Sequence, residues 1–261
     1  MLIRETLHQM KLKNLLLFYS ANICILLSLL SILGIFFDTR LILGINPWIK
    51  VLKFDVSVGI YLFTLIWILK DLHPRFIREI SFKTVICLFV EIFLITIQAI
   101  RGVTSHFNQS TALDGMIFSV MGIFIAYNTY LIGKVLYKLI KTPPHISLIH
   151  LRALQYGLIT LLYGSFIGGY MSSQTGHSVG MKDGGPGLFF VNWNTLAGDL
   201  RVPHFIGLHG IQVFIILGFL ISCLNIGKSI GSKILLGCFI LFITANTLVL
   251  IEALNGLPFI H

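Results

Sequence analysis

Seven apolar runs limit what this chain can fold into more than any other feature. They fall at about 15–37, 54–70, 82–100, 114–137, 150–171, 203–224 and 233–253. A helix needs about 20 apolar residues to cross the hydrocarbon of a bilayer. Of the 261 residues, 56% are hydrophobic and 11% charged, whereas an ordinary soluble domain has about 25% charged residues. The runs use most of the chain and leave no room for a separate soluble domain. The expected class is all-α: one polytopic membrane bundle over 1–261 with about seven transmembrane helices. Long unbroken runs argue against a transmembrane barrel, whose strands alternate. The first run exceeds the ~7–15 residues of a signal core and no small-x-small site follows it, so it is read as a span.

Charge sets the expected orientation. With the N-terminus in the cytoplasm, 13 of the 19 Lys and Arg lie on the inner side. The outer six are Arg40, Lys50, Lys53, Arg101, Lys182 and Arg201. The positive-inside rule therefore predicts N-in, C-out. The net charge of +9 is accounted for by this basic inner rim and its lipid headgroups, without invoking nucleic acid. The expected setting is a bacterial inner membrane, with the site facing the periplasm or exterior.

The acids are distributed differently. Asp38, Asp55, Asp114, Asp183, Asp199 and Glu252 lie toward the outer face, matching the six outer bases in number. Balanced charges close to lipid imply pairing. Glu91 falls near the middle of the third run. A charge there costs at least about 2.5–3.5 kcal/mol on insertion scales, so Glu91 needs a proton or a partner. Further out on the same helix lie Gln98, about 10 Å on, and Arg101, at the rim.

Histidines add to this outer layer. His106 follows the third span, and His177 lies in the long connection 172–202, which carries six glycines. His204 and His209 open the sixth span, with Gln212 one turn deeper. Five residues separate His204 from His209, so their side chains diverge by about 140° on one helix. They are expected to face different partners. Connections well above ~15 residues are usually functional or disordered. Leu188, Phe189, Phe190, Val191 and Trp193 are too apolar for disorder, so a folded cap or partly re-entrant segment is expected. The run Asp183-Gly184-Gly185-Pro186-Gly187 reads as a turn. It lacks the spacing of a phosphate-binding loop.

These residues lead to three functional expectations. The first is a metal- or haem-dependent membrane enzyme acting on a membrane-soluble molecule. His106, His204 and His209, with His177 as a further metal ligand, would bind a transition metal or haem. Glu91, Arg101, Asp183 and Asp199 would move protons or position substrate. Lys53, Asp55, Gln98, Asp114, Gln212 and Glu252 would line the rest of the pocket. The second is a transporter or ligand-binding protein with Glu91 as proton relay. The third is a scaffold or assembly factor in which the polar cluster locks helices together.

Other signals are weaker. Cys24, Cys87, Cys223 and Cys238 lie one per span and read as packing residues. Gly164 and Gly168 form a GxxxG pair for close helix contact. Asn108-Gln109-Ser110 matches a glycosylation tripeptide. The last span has no lysine at its centre, as a retinal protein needs. No span pairs histidines a dozen residues apart, as b-type membrane cytochromes do. The HxxxH-like spacing of seven-span zinc hydrolases is also absent.

Overall fold

A computed structural model describes the backbone of all residues except Met1, Thr175, Gly185, Pro186, Asn225 and His261, and leaves the side chains of Leu2, Ile3, Arg4 and Thr6 undescribed. Gly185 and Pro186 of the expected turn are thus outside the described residues. Among those described, the chain forms eight helices: α1 (Leu2–Lys13), α2 (Leu15–Phe37), α3 (Pro47–Leu69), α4 (Pro74–Arg101), α5 (Ala112–Lys141), α6 (Leu148–Ser173), α7 (Arg201–Cys223) and α8 (Lys228–Leu254). Two short strands, β1 (Ser178–Val179) and β2 (Gly198–Asp199), pair antiparallel. The fold is all-α and polytopic. By length and composition six helices are able to cross a membrane: α2, α3, α4, α5, α7 and α8. At 26 residues α6 is long enough, but it is more polar and falls outside that group.

Local signals set the helix boundaries. Asn14 caps α2 by accepting the Leu17 N–H at 3.0 Å, and its amide donates to Ser81 on α4 at 2.7 Å. Asn46 caps α3 through the Trp48 N–H, with Pro47 in the first turn, where its missing N–H costs nothing. This corrects the expected second span, which began at 54. Residues 47–53 are helical, so Asp55 sits eight residues inside the helix, about 12 Å from its start, and not near its end. α4 starts at Pro74 and ends at Gly102, whose φ of 74° suits a residue without Cβ. The Gly102 and Val103 N–H groups close back on the Ala99 and Gln98 carbonyls, a Schellman ending.

The chain divides into two units, Met1–Leu131 and Ile132–His261, with the boundary inside α5. In the first unit, α2 packs most extensively on α3. The α2 face that is buried is, apart from Leu17, made of small residues, Ser20, Ala21, Cys24, Ser28 and Ser31. A second cluster joins Val51, Ile95, Ala99, Ile117 and Met121. Cys24 and Cys87 are buried as expected, whereas Cys223 is exposed.

In the second unit, α6 and α7 make the closest pair. A Cβ added to Gly164 would lie 2.6 Å from the Leu208 backbone nitrogen, and one on Gly207 would lie 2.7 Å from the Gly164 Cα. On Gly168 it would lie 2.7 Å from the His204 ring. The GxxxG pair thus packs as expected, with backbone against backbone. Below it, Ile149, Ala153, Phe214, Ile221 and Leu235 form an apolar core.

Gly164→Ala is expected to lower the stability of the purified protein by about 1–3 kcal/mol, the usual cost of overpacking. Gly169→Ala meets open space and serves as the control. Thermal unfolding in detergent reads the difference, and equal melting of the two variants would contradict this packing.

Candidate functional site

In the first unit, polar side chains gather where α2 joins α3 and α4 joins α5. Asp38, just past α2, accepts both the Arg40 guanidinium, at 2.6 Å, and the Trp48 indole N–H, at 2.9 Å. These bonds hold its carboxyl well below the usual carboxylate range, Arg40 contributing most. Arg40 also donates to the Ile100 and Ala99 carbonyls at the end of α4. The clamp therefore ties the α2–α3 connection to α4, and the sequence reading did not find it.

Arg101 and Asp114 form the second pair, at 2.7 Å. Gln98, fully buried, donates to the same carboxylate at 3.0 Å and accepts from Arg101. Thr111 donates to Asp114 at 2.6 Å and accepts the Asp114 N–H in return, a reciprocal arrangement that starts α5. Every part of this cluster is satisfied. Asn108 of the glycosylation tripeptide is buried and turns the chain here, donating to Thr104 and accepting from Ser110.

Glu91 is arranged differently. It is 2% exposed, on α4. Its Oε1 lies 3.4 Å from His106 Nε2, while Oε2 has no hydrogen-bond partner among the described residues. Arg101 ends the helix ten residues later, about 15 Å further along. For His106 to reach Glu91, the connection after α4 must fold back along the helix. Ser105 and Asn108 are correspondingly buried. Phe54 of α3 packs against the His106 ring at 5.5 Å between centroids, and Lys50 lies near enough to act on Glu91 electrostatically. A second buried carboxylate, Asp55, accepts the Ser31 hydroxyl at 2.7 Å and leaves Oδ1 without a partner among the described residues. Lys53 is half-buried on the same helix.

In the second unit the described residues of the connection 174–200 are held by the β1–β2 pair and by side-chain bonds. Asp199 is its hub. It accepts the Arg201 guanidinium and the Asn194 N–H, the latter at 2.8 Å. Burial alone would push its carboxyl up, but Arg201, Asn194 and the nearby His177 outweigh it and the net shift is downward. His177 sits between two acids, with Nδ1 3.6 Å from Asp199 and Nε2 3.4 Å from Asp183. Asp183 also accepts the His177 and Ser178 N–H groups, which marks it as a turn-builder. Trp193 rests on Phe205 and Phe259.

The opening histidines of α7 diverge as the spacing requires. His204 Nδ1 donates to the Gly164 carbonyl at 2.7 Å, so that ring is committed to the α6–α7 seam. His209 packs on Phe205 at 4.3 Å and bonds the half-buried Gln212. Glu252 is exposed in the last turn of α8. Asn246, on α8, is buried with neither amide atom partnered among the described residues. Among the described residues no three His, Cys, Asp or Glu side chains converge as a metal-ligand set. The structure pairs His106 with Glu91, and His177 with Asp183 and Asp199. His204 binds a carbonyl and His209 packs on an aromatic ring.

Compared with protein-family models, curated proteins and solved structures, the chain gives no significant match.

Because folding lowers the Asp199 pKa, its contribution to stability is complete above the unfolded value of about 4. That contribution drains away as pH falls through the lower, folded value. The cap is therefore expected to hold at pH 5–8 and loosen only below about pH 4. Asp199→Asn should loosen it at all these values. The intrinsic fluorescence difference between the parent and Trp193→Phe isolates Trp193 and reports the change. An Asn variant with parental Trp193 emission would remove Asp199 from this role.

Proposed function

We propose that this protein is a proton-coupled transporter or ligand-binding protein of the membrane, with Glu91 as its proton-carrying group. The observation that carries this reading is the Glu91–His106 contact. A carboxyl 2% exposed has one oxygen 3.4 Å from an imidazole and the other without a hydrogen-bond partner among the described residues. Intramembrane ionisable residues commonly mark proton relays or substrate paths. His106 stands in a chain connection and Glu91 inside a span. A proton arriving at the imidazole is thus one short step from the carboxyl. Histidine exchanges protons near neutral pH. Asp55, the other carboxyl with an unpartnered oxygen, is the second candidate station in the same unit.

The reading includes seven spans. α6 alone of the seven lies outside the group apolar enough to cross by composition, and its small and polar residues Gly157, Thr160 and Gly164 are buried against α7, away from lipid. The charge distribution supports N-in, C-out, and on that reading His106 is extracytoplasmic.

Proteoliposomes loaded with a pH-sensitive dye test the relay. Under an imposed inside-negative potential, the parent protein should admit protons faster than protein-free vesicles. Glu91→Gln should reduce the rate at least tenfold, toward the protein-free level, at unchanged melting temperature. His106→Gln should slow it less and alter its pH dependence. Parental flux in Glu91→Gln would remove the relay role.

A further inference from the structure

The opposite end of the first unit carries a second recognition feature. α1 is 12 residues long and meets α2 at Asn14, the cap of the first span. Between α1 and the end of α3 lies a groove of about 330 Å³. Lys13 and Lys70 supply its positive charge and Glu5 its single negative charge, with Gln9 as a neutral donor and acceptor. Its floor is apolar: Met10, the buried Ile66 and the Trp67 ring. The Lys70 ammonium lies 3.6 Å from the Trp67 ring centroid, a cation–π placement that fixes the charge at the rim of the groove.

Three further observations favour a lipid as occupant. The groove is at the ends of two spans, where headgroups lie. A tryptophan at that level fits the aromatic belt of a bilayer interface. Leu7 and Leu12 of α1 are exposed beside charged residues, as in a short helix lying in the interface plane. We propose that this groove binds the headgroup of an anionic glycerophospholipid. Lys13 and Lys70 contact the phosphate, and the acyl chains pass over Met10 and Trp67. Net positive charge over an apolar floor matches an anionic, amphiphilic ligand. A free phosphate would find charge there but no use for the floor. Basic recesses between helices at membrane surfaces recognise headgroups by the same chemistry.

Native mass spectrometry of the full chain in detergent tests this with three probes: phosphatidylglycerol, phosphatidylcholine of the same acyl chains, and sodium phosphate alone. Phosphatidylglycerol should be retained preferentially. A lysine near a membrane surface contributes roughly fivefold, so Lys13→Gln with Lys70→Gln should weaken that retention about thirtyfold. The paired variant Lys13→Arg with Lys70→Arg should keep it, which shows that the fold survives change at both positions. Lys141→Gln with Lys228→Gln removes equal charge elsewhere and should also keep it. Four results would overturn the proposal: equal retention of the two lipids, an unchanged Gln variant, equal loss in the Lys141 and Lys228 variant, or phosphate alone binding as well as phosphatidylglycerol.

Discussion

Hydrocarbon offers no hydrogen bonds, and that constraint organises most of this chain. A polar group held in lipid without a partner costs several kcal/mol. The helices satisfy their own backbones, and the side chains must find partners in one another. Three acids do so with a nearby arginine: Asp38 with Arg40, Asp114 with Arg101 and Asp199 with Arg201. Each pair is also a structural joint. The first ties a connection to the end of α4, the second starts α5, and the third holds the cap together. Half of the six acids grouped with six bases in the sequence are thus accounted for by an arginine partner.

The sequence made the all-α, multi-span class and the pairing of several acids with nearby arginines legible, because each rests on a local or additive property. Of the seven runs expected to span, six form helices long and apolar enough to cross a membrane. Apolar run length reports helix existence directly. Spacing alone predicted that His204 and His209 would part, and they do. Two things were harder to read. The Asn46-Pro47 start of α3 was read as a connection, although an Asn cap before a first-turn proline is a legible helix start. Seven residues of helix were missed there, and with them the depth of Asp55. The fold-back of the connection after α4 had no local signal, since it depends on tertiary contacts among Glu91, His106 and Phe54. The metal reading placed His106 by sequence depth and so missed its carboxylate partner.

The two units handle their ionisable groups in different ways. In the second unit, His204 is bound to a backbone carbonyl in a seam where glycines let helices touch. That histidine serves packing, and moving its proton would disturb the α6–α7 contact. His177 is held among Asp183, Asp199 and the backbone of a small ladder. In the first unit, His106 comes from a connection and rests against an aromatic ring. Its ring meets Glu91, a carboxyl lying within a helix.

The contrast between Asp114 and Glu91 argues hardest for function. Both carboxyls are about equally hidden, at 2% exposure each. Asp114 takes bonds from Arg101, Gln98 and Thr111, an arrangement that fixes its charge and starts a helix. Glu91 has a long contact to His106, the nearby Lys50 charge and an oxygen without a hydrogen-bond partner among the described residues. If burial were only a matter of locking helices, the second carboxyl would gain stability by being replaced with an apolar residue. A carboxyl with one oxygen unpartnered is not held in one bonded arrangement as Asp114 is. Asp55 has the same half-satisfied form, with Ser31 on one oxygen. The first unit therefore has fully bonded carboxyls at Asp38 and Asp114 and half-satisfied ones at Glu91 and Asp55, and the proposed proton relay rests on that difference.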